Sequence, residues 1–148
     1  MEGLLKASKF NLGRMLFGNG SGTLCNVRSG SVGTGASVVV DNIRTLMEGM
    51  TIDIYSKSTN TIYPNCKGRR IKCINRSDKT VVFEDNGTTQ ELLSGDYFVM
   101  QNSKDKEITG LGKIFDHDSK SLYGLDIAEN LWLKPNKFRF NSLVVFLT

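Results

Sequence analysis

One histidine, one tryptophan and three cysteines are spread over 148 residues, and each scarcity closes a class of function. His117 sits between Asp116 and Asp118 in a polar turn. Acid–base work would need a nucleophile beside it, so a solvated histidine is expected. Cys25, Cys66 and Cys73 make an odd count, which argues against a disulfide framework. A Cys66–Cys73 pair is disfavoured, and reduced thiols in a reducing compartment are expected. A structural zinc site wants four ligands at paired short spacings. Three scattered thiols and one imidazole lack them, so neither metal nor cofactor is expected.

Long apolar runs are missing too. No stretch approaches the roughly 20 residues that span a bilayer, so no membrane partner is expected. The first residues carry Glu2, Lys6 and Lys9, without an uninterrupted apolar core or small-residue cleavage site, and no secretory signal is expected. The glycine run Gly18-Asn19-Gly20-Ser21-Gly22 lacks the Lys-Ser/Thr of a phosphate-binding loop and follows a helix rather than a strand. Asp53 and Asp96 lie beside strands, but nothing fixes their separation, and outward positions are the simpler expectation. No catalytic constellation remains, so neither an enzyme nor a small-molecule substrate is expected.

What is present suits one globular domain with a single core: 39% apolar and 23% charged residues. The net charge of +4 is spread thinly, as +2 over residues 1–50 and +1 over each of 51–100 and 101–148. One cluster stands out: Lys67, Arg69, Arg70, Lys72 and Arg76, with no acid between them. It could serve as a phosphate-binding stripe. Strand alternation would place Arg70, Lys72 and Arg76 on one face and Lys67 and Arg69 on the other. A solvated face or an inter-subunit charge contact is therefore favoured.

Residues 2–17 read as an amphipathic helix with Leu5, Leu12 and Leu16 on one face. The glycine run ends it. Residues 23–27 then form a short strand, 29–35 a Gly/Ser turn region and 36–40 a β-branched strand. Asp41 caps a single helical turn over 42–47, closed by Gly49. Residues 50–55 alternate most cleanly, with Met50, Ile52 and Ile54 on one face and Thr51, Asp53 and Tyr55 on the other. After a polar loop (56–65), residues 70–74 form a strand with a bulge near Cys73. Residues 80–84 pair with it as a hairpin, 85–87 turn, and 97–101 make the last strong strand. About six short strands with tight turns suggest a small barrel or sandwich.

Residues 107–115 suggest a helical turn or two that buries Ile108, Leu111, Ile114 and Phe115. Residues 116–137 read as an extended segment carrying apolar anchors. Among these, Leu122, Tyr123, Leu125, Trp132 and Leu133 are candidate assembly-interface anchors; Tyr123 and Trp132 are expected as core or interface anchors rather than a stacking platform for a sugar or base. The final residues 138–148 are apolar and are expected to pack against something.

The motifs and their order resemble a group of tailed-bacteriophage major capsid proteins. The matching residues are Phe17-Gly18-Asn19-Gly20-Ser21-Gly22-Thr23-Leu24, then Leu46-Met47-Glu48-Gly49-Met50 and Thr51-Ile52-Asp53-Ile54. The return of the chain matches at Gly110-Leu111, Ile114, Asp116, Leu122-Tyr123-Gly124-Leu125-Asp126 and Trp132-Leu133-Lys134. Together they cover about residues 1–137. The resemblance implies a helix leading into a small β-barrel-like insertion, with the chain acting through self-association. It further implies contact with capsid neighbours, non-specific contact with packaged DNA, and residence in the virion or the host cytoplasm. Flanking shell elements are not found, so a fragment, a truncated prophage remnant or a retained inserted module is expected.

The sequence thus predicts an α+β chain, mainly β. It comprises an N-terminal helix and Gly-rich turn (1–21), a small antiparallel β barrel or sandwich (22–102), and a short helical turn with an extended anchored C-terminal segment (103–148). Two other readings stay open. One is a nucleic-acid-binding barrel using the basic cluster, and the other a carbohydrate- or receptor-binding β module using Tyr123 and Trp132.

Overall fold

The computed structural model describes residues 2–84, 88–116 and 118–134. Helix α1 (Glu2–Phe17) stops at the glycine run, as its sequence predicts. The strands that follow are β1 (Thr23–Val32), β2 (Ser37–Val40), β3 (Thr51–Tyr55), β4 (Arg69–Asn75), β5 (Thr80–Phe83), β6 (Gln90–Glu91) and β7 (Tyr97–Met100). A short helix α2 (Leu111–Ile114), a two-residue-per-strand hairpin β8 (Ser121–Leu122) and β9 (Leu125–Asp126), and a 3-10 turn at Leu131–Leu133 complete the described chain. The protein is α+β and mainly β.

Strand order resolves the choice between barrel and sandwich. The ladder runs β2-β5-β4-β3-β7-β1, and β1 also pairs with β2, so six strands close on themselves, with β6 appended to the end of β1. All these pairings are antiparallel. Two strands turn the corners. β1 pairs with β7 through Thr23–Asn26 and then with β2 through Val27–Gly30. β4 leaves β3 at Arg70 and continues with β5. Register shifts lie at both corners, between Val27 and Ser29 and between Ile71 and Cys73, the latter where the sequence predicts a bulge, and a third lies between Thr23 and Cys25 near the start of β1. A bulge bends its strand and sharpens the twist, which lets one strand serve both halves of a small barrel.

Two local expectations are corrected. Residues 29–32 are strand rather than turn, because Gly30 (φ 122°) lies against β2, where a Cβ would sit 2.3 Å from the Ser37 carbonyl oxygen. Only glycine fits that approach, so the residue that reads as a turn former instead permits tight pairing. Residues 42–47 form turns without a helix. Asp41 is not a cap there: its carboxylate turns back to accept the Asn26 backbone N–H at 2.9 Å and the Asn26 side-chain amide at 3.0 Å.

Inside the barrel lie Val27, Val38, Val40, Ile52, Ile54, Ile71, Val81 and Phe98, each at most 2% exposed. Phe83 from β5 and Phe98 from β7 meet edge to face across the interior, with ring centres 5.7 Å apart. Burying each aliphatic side chain is worth about 1.5–3 kcal/mol relative to exposure. The barrel interior therefore carries the fold, whereas α1 contains no fully buried residue.

Candidate assembly surface

Helix α1 leans on the barrel with its less apolar face. Phe10 packs against the barrel core, and Ala7, Asn11 and Arg14 are half-buried. Leu5, Leu12 and Leu16 point away, exposed by 56%, 50% and 50%. An amphipathic helix ordinarily turns such a stripe inward. Here the stripe is left uncovered among the described residues.

The inward face is held by charge. Arg14 donates to both carboxylate oxygens of Glu107, one bond measuring 2.8 Å, and both side chains are more than nine-tenths buried. Arg14 Nη2 also lies 3.9 Å from the Met100 sulfur. Two polar atoms in this contact, Asn11 Oδ1 and Arg14 Nε, are buried without a hydrogen-bond partner. Further along, a Cβ on Gly110 would come within 2.3 Å of the Met15 carbonyl oxygen, so the start of α2 touches the backbone of α1. Between helix and barrel runs a groove of about 540 Å³, lined among others by Lys9, Phe10, Phe17 and Arg44, with Arg14 and Glu107.

The C-terminal segment adds to this apolar surface. Ile108, Leu111 and Phe115 are exposed, which corrects the expectation that they are buried, and Ile114 is half-buried. With only four helical residues, α2 is too short to bury a face. Of the five anchors chosen from sequence, Leu122 is buried and Leu133 half-buried, while Tyr123, Leu125 and Trp132 are exposed by 68%, 44% and 75%. Tyr123 and Gly124 both have positive φ (53° and 80°), as a two-residue hairpin turn requires, and Leu122 pairs with Leu125 beside it. Geometry at this turn thus separates one buried anchor from its exposed neighbours.

The basic cluster does not survive as a unit. Arg69 is 2% exposed and donates to the Asn65 and Thr88 carbonyl oxygens at 2.8 and 3.0 Å, so it ties loops together from inside. Arg70 lies 3.5 Å from Glu84 on the surface. Lys67, Lys72 and Arg76 are exposed. A half-buried stacked pair that sequence does not single out, Tyr55 and Tyr97, is covered by Lys104, whose ammonium lies 4.3 and 5.6 Å from the two rings and donates to Asn60.

Asp53 and Asp96 are buried, not outward and solvated. Asp53 accepts the Gly68 and Asn102 backbone N–H groups at 2.8 and 2.9 Å. Asp96 accepts the N–H groups of Lys57 and Leu93 and the Tyr63 hydroxyl, whose pKa burial and that hydrogen bond push up. Each carboxylate fastens loops to a strand. The three cysteines are free. Among the described residues no group of three or more His, Cys, Asp or Glu could hold a metal ion, and no helix is long and apolar enough to cross a membrane. His117, the turn at 85–87 and the tail 138–148 lie outside the described residues.

Lys9, Phe10, Phe17, Arg44 and Glu107 are the residues that sequence reading misses. Arg14 opposite a leucine stripe was the available signal, since a lone charge on the core-facing side of a helix needs a partner. Comparison with protein-family models, with curated proteins and with solved structures gives no match.

Proposed function

We propose that this chain is a structural, non-enzymatic module of a phage or prophage major capsid protein and works by self-association. The supporting observation is where the exposed large apolar side chains fall. Among the described residues all but Leu93 lie in α1 or between Ile108 and Trp132, away from the barrel strands. Exposed apolar side chains concentrated in a few segments mark contact with other proteins where they form a patch, and symmetric shells are built from such contacts repeated. The motif resemblance supplies the kind of assembly.

Light scattering coupled to size exclusion, over a concentration series and with electron microscopy of large fractions, tests the reading. Growth into rings, sheets or shells is expected. A concentration-independent monomer overturns self-association by this chain and favours a ligand for the exposed Tyr123 and Trp132. Salt-dependent binding of DNA lost on neutralising Arg70 and Lys72 would instead favour the nucleic-acid reading.

A further inference from the structure

The groove beside α1 and the Leu131–Leu133 turn are complementary in apolar lining and in charge. At about 540 Å³ the groove lies within the range of clefts that hold ligand-sized groups, roughly 300–1,000 Å³. Phe10 and Phe17 give it an aromatic lining, and Phe17 is 74% exposed. Glu107 answers the charge of Arg14, which leaves Lys9 and Arg44, both exposed and in no ion pair among the described residues, as net positive charge at its rim. The C-terminal segment offers the converse. Asp126 and Glu129 are exposed, and after them Leu131 and Trp132 project at 68% and 75% exposure. Bonds from the Leu133 N–H to the Asn130 carbonyl (2.9 Å) and from the Lys134 N–H to the Leu131 carbonyl (3.1 Å) fix the turn before any partner arrives. Pre-ordering lowers the cost of docking.

We propose that the Leu131–Leu133 turn of one copy seats in the groove between α1 and the barrel of a second copy, with Trp132 as anchor and Asp126 and Glu129 facing Lys9 and Arg44. The inference rests on the self-association reading and specifies its contact. Because the two surfaces differ, the contact is head-to-tail: each copy keeps one free turn and one free groove, so assembly proceeds to rings or open arrays. A tryptophan in a pocket ringed by weaker polar contacts is the usual form of an interface hot spot.

Trp132 is the only tryptophan, so the full-length Trp132→Ala chain is free of indole emission. A synthetic peptide of residues 126–134 then reports its own seating. Titrating it with the Trp132→Ala chain is expected to shift its emission to the blue. Adding Phe17→Asp to that chain is expected to weaken seating roughly thirtyfold. Both positions are exposed, and circular dichroism checks that the fold is kept. As a second measurement, the Trp132→Ala and Phe17→Asp single variants each fail to assemble alone. Mixed in equal amounts they give a heterodimer that grows no further.

No peptide shift, or a shift indifferent to Phe17→Asp, overturns the proposal. Undiminished assembly of the Trp132→Ala chain overturns it while leaving self-association standing. Peptide seating on a chain whose wild type stays monomeric at every concentration also overturns it, and assigns the groove to a foreign acidic-aromatic segment. Wild-type emission already blue at all dilutions overturns it in favour of seating within one chain.

Discussion

The guanidinium of Arg14 and the carboxylate of Glu107, 93 positions apart in the chain, form a two-pronged ion pair with only 8% and 6% of their side chains exposed. This pair, together with the close backbone approach at Gly110, fastens α1 to the segment that follows the barrel. Removing one member strands a buried charge, which costs about 3–5 kcal/mol. Glu107→Gln is therefore expected to lower unfolding free energy by roughly 3 kcal/mol in denaturant titration. The double variant Arg14→Met, Glu107→Leu should lose less than either single change, because no charge is left behind.

The thiols are expected to divide two to one. Cys25 and Cys66 are buried, whereas Cys73 is exposed on β4. Burial pushes the Cys66 thiol up to about 11 despite the pull of Arg69, and burial, with Asp41 nearby, pushes Cys25 higher still. The thiolate is the reacting form. A thiol reagent at about pH 8 should modify one cysteine promptly in the native protein and three in denaturant, and Cys73→Ser should remove the prompt reaction.

Asp41 gives the fold an acid-sensitive tie between the end of β2 and the middle of β1. Partial burial raises its pKa, but hydrogen bonds from the Asn26 side chain and from the backbone N–H groups of Asn26, Asn42 and Asp41 itself together outweigh this and hold the carboxyl below the usual carboxylate range. A folded pKa below the unfolded one means the stabilisation is complete above the unfolded value of about 3.9 and is lost as pH falls through the folded value. Asp41→Asn should flatten the stability profile below about pH 5, read as the difference in denaturation midpoints between neutral and acid buffers.

Charging the outward stripe tests the proposed self-association apart from folding. Leu5→Lys, Leu12→Lys and Leu16→Lys each fall on exposed positions, where substitutions usually change stability by less than about 0.5 kcal/mol. Thermal melts should barely move. The concentration at which larger species appear in light scattering should rise, most for the triple variant.

Local patterning made much of this molecule legible. The limits of α1, the alternation of Ile52 and Ile54, the β4–β5 hairpin and the bulge at Cys73 follow from side-chain period and turn chemistry, which act within a few residues. The errors share one cause: they depend on what lies across the barrel. Gly30 reads as a turn until β2 comes close enough to need the missing Cβ. Arg69 reads as surface charge until the Asn65 and Thr88 carbonyls surround its guanidinium. Sequence puts the leucines of α1 on one face but leaves open which face meets the barrel, because nothing local says that Arg14, on the opposite side, has its partner at Glu107. Tyr123 and Trp132 read as core or interface anchors from their apolar neighbours, which cannot say whether the rings are covered; both are exposed. The groove is assembled from three separate stretches of chain, and no single window contains it.

The pairing of β1 with β2 has a further consequence. Each of the six ring strands has a neighbour on both sides, so the ring presents no long row of free backbone donors and acceptors for a foreign strand to extend. Unpaired edges are the usual nucleus of uncontrolled fibre growth. The ring is thereby protected from backbone-driven polymerisation, and the selectivity of any association through it passes to side chains, where it can be tuned one residue at a time.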